Sequence, residues 1–180
     1  MRSAVLSGAI ALLGNSLGPL PAVSVGDGIE LANVPGKGIG AFATRDLPAG
    51  MFLGCYSGKL MSAEAAADAA RRGETSGAYF ARMQGVPGSP LVIDSEDAST
   101  STWPRYINHS RRRKNCLSLE LQYRVSLGGL ELGALPLGLY VKTSRPIAAG
   151  EELLMDYGDE YWTSRGYTSF DPRRIVIDNF

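Results

Sequence analysis

Apolar positions along this chain come in short runs broken by glycine, proline and small polar residues, a spacing that predicts strands joined by turns rather than packed helices. Val23–Phe42 (VSVGDGIELANVPGKGIGAF) holds two such runs, set apart by Asp27-Gly28 and by Pro35–Gly40, and reads as strand, glycine loop, strand. Leu47–Gly50 is a turn leading into the apolar run Met51–Tyr56, which stops at Ser57-Gly58. Further strands are expected over Tyr79–Met83 and Leu91–Asp94 around a Gly85–Pro90 loop, and over Leu117–Val125 and Leu137–Thr143 around a glycine-rich Ser126–Gly138 connection. A last one, Glu152–Tyr157, follows a turn at Pro146–Gly150. One segment is helical: Ser62 is placed to cap Ala63–Arg72, with Glu64 and Asp68 early, Arg71 and Arg72 late and Gly73 just beyond, the charge order a helix dipole favours. No internal repeat is visible in the residues. The pattern describes an α+β domain, mainly β, over residues 25–162, irregular from Gly158 onward and with 163–180 set apart as a tail.

Composition narrows the chemistry. Eighteen Lys+Arg balance eighteen Asp+Glu, so no global positive field argues for nucleic-acid binding. Two cysteines, Cys55 and Cys116, and one histidine, His109, are too few for a disulfide scaffold or for a multi-histidine or cysteine-only metal cage. No metal site is expected. Residues 1–24 form an N-terminal extension whose apolar stretch, Ala4–Leu13, is too short to span a bilayer. It reads either as a signal or transit peptide, which would direct the chain to an organelle or the secretory route, or as a poorly ordered apolar extension or the tail of a preceding region.

Three motifs carry candidate chemistry: Lys37-Gly-Ile-Gly40, Arg105-Tyr-Ile-Asn-His-Ser110 and Glu151-Glu-Leu-Leu-Met-Asp-Tyr-Gly158. Taken singly, each has a plain alternative. A GxG followed by the strand-like Ala41-Phe42-Ala43 lacks the third glycine and the helix of a dinucleotide fingerprint. His109 by itself fits a hydrogen-bonded core histidine, and with no GxSxG elbow a serine hydrolase is disfavoured. Tyr157 by itself fits a core tyrosine with its hydroxyl tied off.

In this order and spacing, joined by Tyr56-Ser-Gly58, the motifs resemble the SET domain of protein lysine methyltransferases, over about Gly28–Trp162. Thr44–Gly50 (TRDLPAG) and Thr143–Gly150 (TSRPIAAG) also resemble the turns that precede SET strands. The resemblance implies a SET-domain fold of small curved β-sheets, one short helix and a C-terminal segment threaded past the stretch after Asn108-His-Ser110. It implies S-adenosyl-L-methionine as cofactor, with Tyr157 catalytic and Tyr56 lining the lysine channel. Lys37, Gly38, Gly40, Asn108 and His109 would hold the cofactor, with Arg105 supporting that segment, Tyr79 as a further contact and Trp162 as a lid or an edge plug. In-line transfer of a methyl group to an amine needs positioning and electrostatics rather than a metal or a covalent intermediate. Met155, two places before the catalytic tyrosine, would set how many methyl groups are added, because a thioether offers no hydroxyl to crowd a methylated amine.

The chain also departs from the family. The frequent continuation NHSCxPNC is here Asn108-His-Ser-Arg-Arg-Arg-Lys-Asn-Cys116, and no CxC cluster follows, so the resemblance brings no post-SET zinc site within this chain. The expected partner is a lysine-containing protein, a histone tail first, which would place the protein in the nucleus. Asp94, Glu96, Asp97, Asp159 and Glu160 are candidates to attract a basic tail. Arg111–Lys114 is either a solvated loop or a local contact for nucleosomal DNA. The rival readings are a non-catalytic SET-like module that binds peptide along a sheet edge, and a methyltransferase of a non-histone organellar protein.

Overall fold

The computed structural model describes residues 23–86, 89–127 and 130–163; the N-terminal extension before Val23 and the tail after Thr163 lie outside the described residues. Eleven strands, a nine-residue helix, a short 3-10 turn and a five-residue helix make up this part of the chain. They are strands β1 (Ser24–Val25), β2 (Gly28–Val34), β3 (Gly38–Ala43), β4 (Phe52–Tyr56), β5 (Lys59–Ser62), helix α1 (Ala63–Arg71), β6 (Phe80–Val86), β7 (Ser89–Asp94), the 3-10 turn Trp103–Tyr106, β8 (Asn108–His109), β9 (Cys116–Leu127), β10 (Leu130–Thr143), β11 (Leu154–Met155) and helix α2 (Asp159–Thr163). The mainly-β architecture of small sheets that the resemblance implies is the one found.

The chain forms two compact units. The first holds Val23, Phe52–Arg105 and Leu119–Tyr140. Its three-stranded sheet runs in the order β5-β7-β6, antiparallel throughout, with a register shift in β6 between Met83 and Val86. Helix α1 follows β5 directly: the Ser62 side chain accepts the Ala65 N–H at 3.1 Å, and Ala66 and Ala69 are its buried residues. Tyr56, Met83, Ile93 and Leu139 form a buried cluster with Ala81 and Leu91 packed against it. Two expectations change here. Strands β6 and β7 reach Val86 and Ser89, so little of the anticipated Gly85–Pro90 loop remains. Strand β10 starts at Leu130 rather than Leu137, because pairing overrides the turn signals of Gly133, Pro136 and Gly138.

The second unit holds Ser24–Met51, Tyr106–Ser118 and the chain from Val141 on. Strands β2 and β3 form an antiparallel hairpin with Ile29 opposite Ala43 and Val34 opposite Gly38. Strand β11 inserts between β8 and the start of β9, parallel to both. This is the local form of the threaded C-terminal segment: a late strand lies between two earlier ones. Asn115, fully buried, holds it there, donating from Nδ2 to the Glu152 carbonyl at 2.8 Å and accepting the Leu154 N–H on Oδ1 at 2.7 Å.

The unit also contains a structural repeat, built on the two turn motifs Thr44–Gly50 and Thr143–Gly150, whose pairing the residues did not reveal. Segments 41–51 and 141–151 follow the same course and pair reciprocally. Leu47 and Ile147 exchange N–H···O bonds of 2.8 and 2.9 Å, Gly50 N–H reaches Thr143 O at 3.0 Å, and Gly150 N–H reaches Ala43 O at 2.7 Å. Both turns close on a glycine with positive φ, +76° at Gly50 and +83° at Gly150.

Candidate active site

The site residues of the second unit are brought together by the parallel pair β8–β11. Leu154 faces Asn108 and Met155 faces His109, so the two chains leave the pair side by side and the residues two places on, Arg111 and Tyr157, are carried in the same direction. The Tyr157 N–H donates to His109 Nδ1 at 3.1 Å. In that contact Nδ1 serves as the acceptor. Asp156 Oδ1 lies 3.9 Å from the same nitrogen, beyond hydrogen-bond reach. The Tyr157 hydroxyl donates to the Ile107 carbonyl at 2.8 Å.

Aromatic rings close this corner. The His109 ring lies 5.3 Å from that of Tyr157 and edge-on to Trp162 at 4.9 Å. Tyr161, which the motif reading missed, stands edge-on to Tyr157 at 4.7 Å and to Trp162 at 5.0 Å. Such tilted contacts suit the ring quadrupoles. Tyr161 and Trp162 ride on α2, in the stretch expected to be irregular.

The GxG loop supplies the next element. Lys37 closes the turn after β2 by donating its N–H to Val34 O at 3.0 Å. Gly38 has φ +81°, and a Cβ there would meet nothing within 4 Å, so space is open beside the backbone. Gly40 is different. A Cβ at Gly40 would come within 2.6 Å of Val34 Cγ2, 3.0 Å of Asn108 Nδ2 and 3.1 Å of Glu152 Oε1. Its lack of a side chain serves the chain's own packing. Asn108 Nδ2 donates to Glu152 Oε1 at 3.0 Å, and buried Glu152 thereby fixes the carboxamide. Neither Glu152 nor Asn115 was singled out from the sequence; the Asn115-Cys116 pair at the end of the retained motif was the one signal for the latter.

Charge gathers at the outer side of His109. Asp156 accepts from Lys114 Nζ at 3.4 Å and lies 3.8 Å from Arg111 Nε, while Arg111 also bonds Asp159. Burial pushes the Asp156 carboxyl up, but the Gly158 N–H and the nearby cations outweigh it and hold the carboxyl below its ordinary value. Two of the four charges in Arg111–Lys114 are thus engaged by this chain's own aspartates. Among the candidate tail-attracting carboxylates, Asp159 is engaged by Arg111, Glu96 by the Ser76 N–H and the Thr75 and Ser76 hydroxyls, Asp97 by Ser99, and Asp94 by the Glu96 N–H.

The remaining candidates belong to the first unit. Tyr56 is 8% exposed and donates its hydroxyl to the Tyr79 carbonyl at 2.8 Å. The Arg105 guanidinium stacks 4.1 Å above the Tyr79 ring and donates to Glu96 O at 2.8 Å. Arg105 thus braces Tyr79 within its own unit. Cys55 is half-buried and Cys116 is buried, with the Cys116 thiol pushed up to about 12 chiefly by burial; both are free thiols.

A late strand between two earlier ones, a glycine hairpin packed on an asparagine, and a histidine and tyrosine bonded across a parallel pair define a class that comparison identifies. The SET domain family model matches residues 38–158, and the chain belongs to that family. Among its relatives, the histone-lysine N-methyltransferase PRDM7 of Homo sapiens is 28% identical over 82% of this chain and 27% of its own length. The N-lysine methyltransferase KMT5A-B of Xenopus laevis is 34% identical over 74% of this chain and 37% of its own. The histone-lysine N-methyltransferase set-17 of Caenorhabditis elegans is 27% identical over 74% and 41%. The chain thus spans well under half the length of these relatives. No helix among the described residues is long and apolar enough to cross a membrane.

Proposed function

We propose that this chain is an S-adenosyl-L-methionine-dependent protein-lysine N-methyltransferase acting on a histone tail in the nucleus. The carrying observation is the hydroxyl of Tyr157: it donates its proton to the Ile107 carbonyl at 2.8 Å, so its oxygen can act only as an acceptor. Lone pairs suit a partly positive methyl carbon and an amine N–H, and they act without a proton being transferred. When bound, S-adenosyl-L-methionine supplies a methyl group on a positively charged sulfur.

The residues fit such a group. The open space beside Gly38 lets backbone be approached closely. Asn108 is oriented by Glu152, His109 is oriented by the Tyr157 N–H on its Nδ1, and the edge-on Trp162 offers an aromatic wall. Tyr56, Tyr79 and Arg105 are assigned to the lysine and cofactor sides on the resemblance.

The test is labelled-methyl transfer onto nucleosomes, free histones and whole-cell lysate, side by side. Label on a histone supports the reading. Label confined to a non-histone protein moves the target, and a folded chain that binds no S-adenosyl-L-methionine favours the peptide-binding module. Tyr157→Phe should keep cofactor affinity while turnover falls about tenfold or more, equivalent to about 1.4 kcal/mol in the transition state. Unchanged turnover with a weakened fold would return Tyr157 to a core role. Mass spectrometry at long times should show products beyond monomethyl-lysine, and Met155→Tyr should shift them towards monomethyl.

A further inference from the structure

Arg111 stands where the family's continuation has a cysteine, and it reaches across to the segment after Tyr157. With Lys114 it brackets Asp156 and Asp159, the residues on either side of Tyr157-Gly158. Asp159 is also the first residue of α2. A helix of five residues is far below the length that holds itself in water. Its position must come from tertiary contacts, among them the aromatic edges of Tyr161 and Trp162 and the charge pair at its start.

We propose that Arg111 is a positioning residue: with Asp156 and Asp159 it forms an ionic clasp that holds Trp162 over His109, so that cofactor affinity in this chain depends on salt. The inference rests on the function proposed above. Side-chain exposure of 43% at Arg111 and 59% at Asp159 puts the clasp within reach of screening ions. Exposed pairs contribute little to global stability, so breaking the clasp frees α2 while the β8–β11 pair stays folded.

Two tryptophans make the test internal. Trp162 reports the clasp, and Trp103, whose indole N–H is held by the Val23 carbonyl at 2.8 Å in the other unit, is the control. The measurement is the ¹⁵N relaxation of both indoles in the full chain without ligand, together with S-adenosyl-L-methionine affinity by calorimetry. Arg111→Gln should loosen Trp162 and leave Trp103 unchanged. Cofactor affinity should fall about three- to fivefold. Arg111→Lys should keep most of both, Asp159→Asn should add little on top of Arg111→Gln, and high salt should reproduce the Arg111→Gln behaviour in the unmutated chain. An unmoved Trp162 indole, equal loosening of both indoles, or unchanged affinity in Arg111→Gln would overturn the clasp. If the unmutated chain bound no cofactor, the methyltransferase reading would fall, while the indole measurement would still decide whether the clasp exists.

Discussion

Segments 41–51 and 141–151 share a backbone and differ in what braces it. In each, the N–H after the hairpin strand is taken up by a distant carbonyl: Thr44 by Gly28 and Ser144 by Asn115. Only Arg45/Arg145, Ala49/Ala149 and Gly50/Gly150 are identical. The first turn is braced by neutral groups and one carboxylate: Asp46 accepts the Ala149 N–H at 2.9 Å. Thr143, at the start of the second segment, closes the first by donating to Pro48 O at 2.6 Å and accepting the Met51 N–H at 2.9 Å. The second turn is held by an ion pair, Glu151 with Arg145, and by Asn115 Nδ2 at 3.1 Å. One backbone solution therefore admits two chemistries, and the two should fail under different conditions.

The sharpest break is Asn115→Ala. The variant strips Leu154 N–H and Glu152 O of buried partners and removes a bond to Glu151, whereas Gly28, the counterpart in the first turn, has no side chain to lose. Denaturant unfolding should show a loss of about 3 kcal/mol or more. A loss under about 1 kcal/mol would mean that water replaces the carboxamide. Next, Thr143→Val keeps shape at a residue 1% exposed but abolishes both hydroxyl bonds to the first turn. The expected cost is about 2 kcal/mol, with no change in acid sensitivity.

Acid discriminates between the turns most finely. Hydrogen bonding from Arg145 lowers the Glu151 carboxyl, against burial and with help from Asn115 and the Ala148 N–H, from 4.5 to about 2. A carboxyl depressed on folding stabilises the native state fully above the unfolded value, and the contribution is lost as pH falls from about 4.5 towards about 2. Surface screening reduces it to about 1–2 kcal/mol. In Glu151→Gln that slice of the stability–pH curve should flatten; an unaltered curve would place the acid-sensitive group elsewhere.

What the sequence disclosed was local or motif-borne. Ser62, Glu64 and Arg71 act within one helix, so the expected Ala63–Arg72 matches the observed Ala63–Arg71 to one residue. Family assignment needed only motif order. Two-residue strands such as Asn108–His109 and Leu154–Met155 are too short to carry a period, and their existence rests on pairing across 46 positions of chain. The repeat was legible only as two similar turn motifs, Thr44–Gly50 and Thr143–Gly150, because the reciprocal backbone bonds that join them leave no mark on the side chains. Glycine in the GxG motif was read as room for a ligand; at Gly40 the same residue type answers a packing need set by Val34, Asn108 and Glu152, the last two far along the chain from it.

The insertion of β11 between β8 and β9 has a consequence for how the protein is made. Emerging from the ribosome, the chain delivers the hairpin of β2 and β3 first, yet Phe42 finds its bridge partner only at Glu152 and Asn115 waits for Leu154. Until those residues clear the exit tunnel, the Asn115 carboxamide and the inner edges of β8 and β9 face water or a chaperone. Closure of this unit therefore follows the synthesis of β11, 46 positions after its partner β8, rather than the faster formation of the local hairpin that precedes it.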